Sequence, residues 1–254
     1  MKKLIAANWK MNKTIHAAVS TVKELKSLVK DGYKADVVLF PPFTSLKAVH
    51  DELKGSSIKL GAQDMHFADS GAYTGGISPL MLKDIGCEYA LLGHSERREF
   101  FNEDDGLINK KMTAALRHSL KPILCVGETS EQRENGITKK VIESQVKKCL
   151  DGIAKEKMKN VTIAYEPVWA ISRGNPNMKA ATKEDAEDAH RFIRNLLSNM
   201  YDSPTAKNVR VIYGGSMKPD NAKELLAMPD IDGGLVGNAS LDAKSFHEII
   251  KYAK

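Results

Sequence analysis

The stretch VTIAYEPVWA, Val161–Ala170, opens with an apolar, β-rich run and turns polar at Glu166. A proline, a tryptophan and the long polar run ISRGNPNMKAAT, Ile171–Thr182, follow before the next helical pattern begins. A continuous apolar run bounded by turn residues is what a strand covered on both faces requires, as in a parallel sheet. Glu166 at its end is then either a solvated strand terminus or the base of an active site with its lid.

Seven further runs of the same kind surround this one: KLIAANW, DVVLF, IKLGAQ, YALLG, PILCV, VRVIYGG and GGLVG. Between them lie amphipathic segments. Ile15, Ala18, Val19, Val22, Leu25, Leu28 and Val29 share one face of a helix over 15–30, with Gly32 as its stop. Ser78 caps a short helix with Pro79 in its first turn, ending before Gly86, and Thr182 caps a longer one through Ala186, Ala189, Ile193, Leu196, Leu197 and Met200. Eight strand-then-helix units at even spacing predict a closed (β/α)8 barrel. The alternative, a doubly wound open sheet, lacks its GxGxxG first turn.

At 254 residues the chain suits one such barrel, so a single α/β domain over 1–254 is expected. The net charge of +6 is spread along presumed helix faces without a basic block, which argues against nucleic acid and is compatible with an anionic small molecule. Cys87, Cys125 and Cys149 are odd in number and widely spaced, so neither a disulfide framework nor a metal site is implied. The apolar part of MKKLIAA is too short for a signal peptide, and no apolar run is long enough to span a membrane. A cytoplasmic protein is expected.

In a barrel the chemistry gathers where strands end. The first run ends in Asn8-Trp9-Lys10, whose lysine is either solvated or placed to neutralise a phosphate or oxyanion. The fourth ends in GHSERR, Gly93–Arg98, read as a helix start with Ser95 as cap and Glu96 at the positive end of the dipole. That dipole disfavours a charged His94, leaving a neutral imidazole able to donate a hydrogen bond. Burial raises a carboxyl, so Glu166 is a candidate proton acceptor, with a surface ion pair as the other reading. The glycine-bearing ends YGGS, Tyr213–Ser216, and LVGNAS, Leu235–Ser240, let backbone approach a ligand and suit a phosphate cradle. A cation, a neutral imidazole, a base and a phosphate cradle suit proton abstraction beside a carbonyl in a small phosphorylated substrate.

NWKMN, GHSERR, CVGET, AYEPVWA, YGGS and the LVG-AS frame together resemble the triosephosphate isomerase family over the whole chain. The resemblance implies a TIM barrel that interconverts dihydroxyacetone phosphate and D-glyceraldehyde 3-phosphate without a cofactor or metal. It implies Glu166 as base, His94 as the group that polarises the carbonyl and shuttles protons, and Lys10 as charge stabiliser, the family's own pairing of a glutamate base with a neutral histidine. Glu96 would support Asn8 and Lys10. Ser172, Ser216, Gly237 and Asn238 would hold the phosphate, and Tyr213 would latch a lid of about 167–181. A homodimer is implied as well, with GAYTGG, Gly71–Gly76, inserting Thr74 into its partner.

Three departures from the family pattern stand out. Gly76 replaces a glutamate that pairs with the arginine matched by Arg97, which must find another acceptor. Asn238 replaces a glycine, and asparagine's tolerance of positive φ keeps its backbone N–H in place. Where the family reads close to AIGTGKTAT, this chain reads AISRGNPNMKAAT, four residues longer, with Ser172 and Arg173 altered and Asn175–Met178 as the insertion. A glycosidase is disfavoured because Glu96 is the only evident second carboxylate and aromatics are sparse. A barrel that binds phosphate but has lost catalysis is the remaining alternative, opposed by the presence of Lys10, His94 and Glu166.

Overall fold

Each of the eight apolar runs forms a strand, and each strand pairs in parallel with its neighbours in chain order. They are β1 (Leu4–Asn8), β2 (Asp36–Phe40), β3 (Lys59–Ala62), β4 (Tyr89–Leu92), β5 (Lys121–Val126), β6 (Thr162–Tyr165), β7 (Arg210–Tyr213) and β8 (Gly233–Val236). Leu4 of β1 faces both Asp36 of β2 and Gly233 of β8, so the sheet closes on itself as a barrel. The structure is a computed structural model that describes residues 1–29, 33–171 and 181–253.

The strands are apolar on both faces because both faces are buried. Leu4, Ala6, Val38, Phe40, Leu91, Ile123, Ala164, Ile212 and Leu235 fill the barrel, while the alternate residues Ile5, Ala7, Val37 and Leu39 pack under the helices. Phe40 occupies the room left at Gly61, where a Cβ would meet its ring at 2.3 Å. The interior is a packed core and leaves no pore for a ligand, so chemistry is confined to the rim.

The helix starts follow local chemistry. Ser78 accepts from the Met81 N–H to open Pro79–Ile85, which Gly86 ends at φ 97. Thr182 opens Lys183–Met200 with a capping box to Asp185, burying Ala186, Ala189, Ile193, Leu196 and Leu197. The first long helix is Ile15–Leu28 and buries Ala18, Val22 and Leu25. Ile15 departs from the expected face: it stands in the first turn, ahead of the part that reaches the sheet, and is exposed. The stop assigned to Gly32 lies outside the described residues. Among those residues no helix is long and apolar enough to cross a membrane.

Candidate active site

The C-terminal strand ends surround a cavity of about 380 Å³ lined by Asn8, Lys10, His94, Glu166, Ser216 and Gly237, with Asn238 on the same wall. The fold thus gathers the cation, the imidazole, the carboxylate and the glycine-bearing ends of β7 and β8. Ser172 lies outside the described residues, as do Arg173 and Asn175–Met178.

Lys10 has the left-handed backbone value φ 51, which is unfavourable for a residue with a side chain. The conformation is held from two sides: its N–H donates to Asn8 Oδ1 at 3.0 Å and its carbonyl accepts from Gln63 Nε2 at 2.9 Å. Gln63 also reaches the carbonyl of Phe40 at 2.8 Å, tying the loop to β2. At the end of the side chain, Nζ sits 2.6 Å from Glu96 Oε1. Glu96 therefore supports Lys10 directly, and Asn8 supports its backbone.

The GHSERR segment is organised differently from expectation. The cap of Ser95–Phe100 is His94, whose Nδ1 accepts the Glu96 N–H at 3.2 Å, whereas Ser95 is the first helical residue. The reason is the left-handed turn at Gly93, φ 70, which leaves His94 extended at φ −52, ψ 142 with its ring over the helix start. An Nδ1 that accepts carries no proton, so the neutral ring has its proton on Nε2. Nε2 is 2.9 Å from Glu166 Oε1.

Glu166 is 2% exposed. Its Oε2 accepts the Ser95 N–H at 2.9 Å, while Oε1, despite its closeness to His94, receives no well-aligned hydrogen bond. Burial alone pushes this carboxyl up; the charge of the His94 ring when it is protonated, the hydrogen bond from that ring, the Ser95 N–H and the Lys10 charge together outweigh burial and hold it below the usual glutamate value, and the pull is weaker where the ring is neutral. The expectation from burial alone is corrected by these neighbours. The fully buried Cys125 thiol beside it is pushed up by burial and by the Glu166 carboxylate, and stays protonated.

Two glycines make room for the base. A Cβ on Gly127 would lie 1.8 Å from the Glu166 carbonyl oxygen, and one on Gly214 would lie 2.8 Å from Glu166 Cγ and 3.1 Å from the Tyr165 carbonyl. At Gly215 a Cβ would meet the Tyr213 hydroxyl at 2.2 Å. The glycines of YGGS thus clear neighbouring protein atoms, and they also line the cavity beside Ser216. Gly237 and Asn238 lead into the short helical turn Asn238–Leu241, and Ser240 Oγ donates to the Gly237 carbonyl at 2.6 Å. Gly237 has φ −87 and Asn238 is not left-handed, so asparagine's tolerance of positive φ is not needed here.

Tyr213 is fully buried; burial pushes its phenol up, with the Ala181 backbone opposing, and among the described residues its hydroxyl has no aligned partner. Thr74 stands in the exposed stretch 71–76, apart from the cavity of its own chain. Arg97, deprived of a partner by Gly76, is supplied within its own chain by Asp64 at 3.0 Å and Glu103 at 2.7 Å.

Sequence reasoning passed over Gln63, Gly127 and Gly214 as individual contributors. Each sits immediately after a strand, and that position is the signal that could have found them. It also passed over Glu128, which is fully buried and accepts from the Trp169 indole at 2.8 Å.

The family model described as triosephosphate isomerase matches residues 3–253. A triosephosphate isomerase of Carboxydothermus hydrogenoformans is 54% identical over 250 residues, covering 98% of each chain. One of Clostridium botulinum (strain Okra / Type B1) is 52% identical over 249 residues, again 98% of each, and one of Chloroherpeton thalassium is 51% identical over 254 residues, 100% of this chain and 99% of its own.

Proposed function

The chain belongs to the triosephosphate isomerase family, and from that membership we propose how its residues divide the reaction. The enzyme interconverts dihydroxyacetone phosphate and D-glyceraldehyde 3-phosphate through an enediolate, an isomerase step of glycolysis. Glu166 removes the proton from carbon, the Nε2–H of His94 polarises the carbonyl and moves protons between the two oxygens, and Lys10 stabilises the negative charge. The observation that carries this assignment is the 2.9 Å approach of His94 Nε2 to Glu166 Oε1 inside the cavity that also holds Lys10.

The same geometry explains how a carboxylate held below its usual value becomes a base. In the free site Glu166 is kept ionised by Ser95 and His94. A substrate carbonyl that takes the His94 N–H removes one of those contacts, and a carboxylate that turns to carbon gives up the other. Burial is then the dominant influence and raises its basicity where the proton is taken.

Ser216, Gly237 and Asn238 hold the phosphate together with Ser172. Residues 167–181 act as the lid, with Tyr213 beneath its Ala181 end as latch; in this family, lid closure excludes water from the reaction. The enzyme works in the cytoplasm, in keeping with three buried cysteines that form no disulfide. It works as a homodimer, in keeping with the exposed apolar side chains of Tyr73 in the Thr74 loop and of Leu80, Met81, Phe100 and Phe101. Light scattering that returned the mass of a single chain would remove the dimer from this account.

A coupled isomerase assay on wild type and Glu166→Ala tests the assignment of the base. Wild type turns over triose phosphate and the variant loses most of that activity; equal rates would sink the assigned mechanism.

A further inference from the structure

Glu128 is a fully buried acid three residues after Cys125, at the foot of the Glu166 segment. Its carboxylate accepts the Tyr165 hydroxyl at 3.1 Å to each oxygen and the Trp169 indole N–H at 2.8 Å. Tyr165 immediately precedes Glu166 and Trp169 follows three places later, so the carboxylate fixes the chain on both sides of the base. Neutral donors alone leave a buried charge poorly compensated.

Arg133 supplies a cation. It belongs to the short helix Ser130–Glu134, whose start is fixed by a capping box between Thr129 and Gln132. Its Nη1 is 3.8 Å from Glu128 Oε1, and its guanidinium lies 3.9 Å from the centroid of the Trp169 ring. Its Nη2 meanwhile donates to Asp185 Oδ1 at 2.9 Å. The other Asp185 oxygen accepts from the Thr182 N–H at 3.2 Å and hydroxyl at 2.7 Å. A single side chain thus grips residue 169 on the entering stem of the 172–180 segment and, through Asp185, residue 182 on the leaving stem.

We propose that Arg133 is a positioning residue for the isomerisation, holding the two stems of the lid at a set separation while steadying the Glu128 carboxylate that aligns Tyr165, Glu166 and Trp169. The inference rests on the reading of 167–181 as the lid. Its chemistry is specific to arginine: a planar guanidinium can stack on an indole, donate edge-on to one carboxylate and still lie within ion-pair range of a second, whereas a lysine ammonium offers the charge without the plane. A stem held loosely exposes the enediolate, whose C–O bond to the phosphate breaks with the electron pair leaving on inorganic phosphate and the enol of methylglyoxal remaining.

The test measures kcat, KM and inorganic phosphate released per turnover for wild type, Arg133→Ala, Arg133→Lys, Asp185→Asn, the Arg133→Ala/Asp185→Asn double variant and Glu166→Ala, with urea midpoints for all. Arg133→Ala is expected to lower kcat/KM about tenfold and raise phosphate release several-fold, with Arg133→Lys recovering part of both and the double variant no more than twofold worse than Arg133→Ala. The proposal is overturned by an Arg133→Ala enzyme within twofold of wild type in kcat, KM and phosphate release. Additive losses in the double variant, or a loss fully accounted for by a smaller folded fraction, overturn it too. If Arg133→Ala is unchanged while Glu166→Ala is inactive, only the Arg133 inference fails; an active Glu166→Ala strikes at the assigned base itself.

Discussion

Gly214→Ala adds one methyl group and asks whether the room beside Glu166 is part of the catalytic apparatus. The added Cβ would stand 2.8 Å from Glu166 Cγ and 3.1 Å from the Tyr165 carbonyl oxygen. Carbon atoms settle at roughly 3.5–4.0 Å, so something must give by about 1 Å. The Tyr165 backbone is committed, since its carbonyl accepts the Gly214 N–H at 2.7 Å and its strand is paired on both sides. The Glu166 side chain is the softer element and yields. A displacement of about 1 Å at a reacting group costs on the order of a hundredfold in rate, or about 2.7 kcal/mol of barrier. Glycine here is not left-handed, so alanine meets no backbone penalty and the fold loses only an overpacking cost of about 1–3 kcal/mol. The coupled assay should return kcat/KM lower by about ten- to a hundredfold, chiefly in kcat, in a protein still folded by urea titration at 25 °C. A folded Gly214→Ala enzyme within threefold of wild type would refute the argument that this gap sets the position of the base.

Two further outcomes can be worked out. His190 is fully buried, and burial holds its imidazole at about 4, with the Arg194 charge acting in the same direction and the bond to the Asp230 carbonyl opposing. The unfolded chain takes up this proton near pH 6.5 while the folded chain does not until about 4, so stability falls as pH drops through that window and is unaffected above it. The loss from this group amounts to about 2 kcal/mol by pH 5 and about 3 kcal/mol by pH 4. Urea titrations of wild type and His190→Gln at pH 7 and pH 5, at fixed protein concentration, should show the smaller loss in the variant; parallel losses would contradict the assignment. Lys111, 4% exposed, donates to Asp64 at 2.7 Å and Glu103 at 2.5 Å, and Asp64 is already pushed up by burial against the pull of Lys111. Lys111→Met should cost at most about 3–5 kcal/mol by leaving Asp64 and Glu103 to share the Arg97 guanidinium, and a urea midpoint close to that of wild type would count against the cluster.

The barrel was legible in the sequence because burial on both faces makes each strand a continuous apolar run, and eight such runs leave few topologies to choose from. The gathering of Lys10, His94 and Glu166 at one rim was legible because each follows a strand by one or two residues. What escaped was set by neighbours far away in the chain. The direction of the Glu166 shift depends on Ser95 and His94, 71 and 72 positions earlier, and burial alone predicts the opposite sign. The backbone of Lys10 depends on Gln63, and the position of Glu166 on space at Gly127 and Gly214. Ile15 shows the limit of periodicity, which assigns a helical face but not how far along the helix that face meets the sheet. His94 shows the limit of capping statistics: serine is the better cap by rank, yet the turn at Gly93 delivers the imidazole to that position.

That last feature joins two properties usually engineered separately. The bond that begins the Ser95–Phe100 helix also occupies the Nδ1 lone pair, so the tautomer with its proton on Nε2 is inherited from secondary structure. For protein design this is a portable device: a histidine placed at an N-cap after a left-handed glycine becomes a hydrogen-bond donor of defined tautomer without any further side chain to orient it.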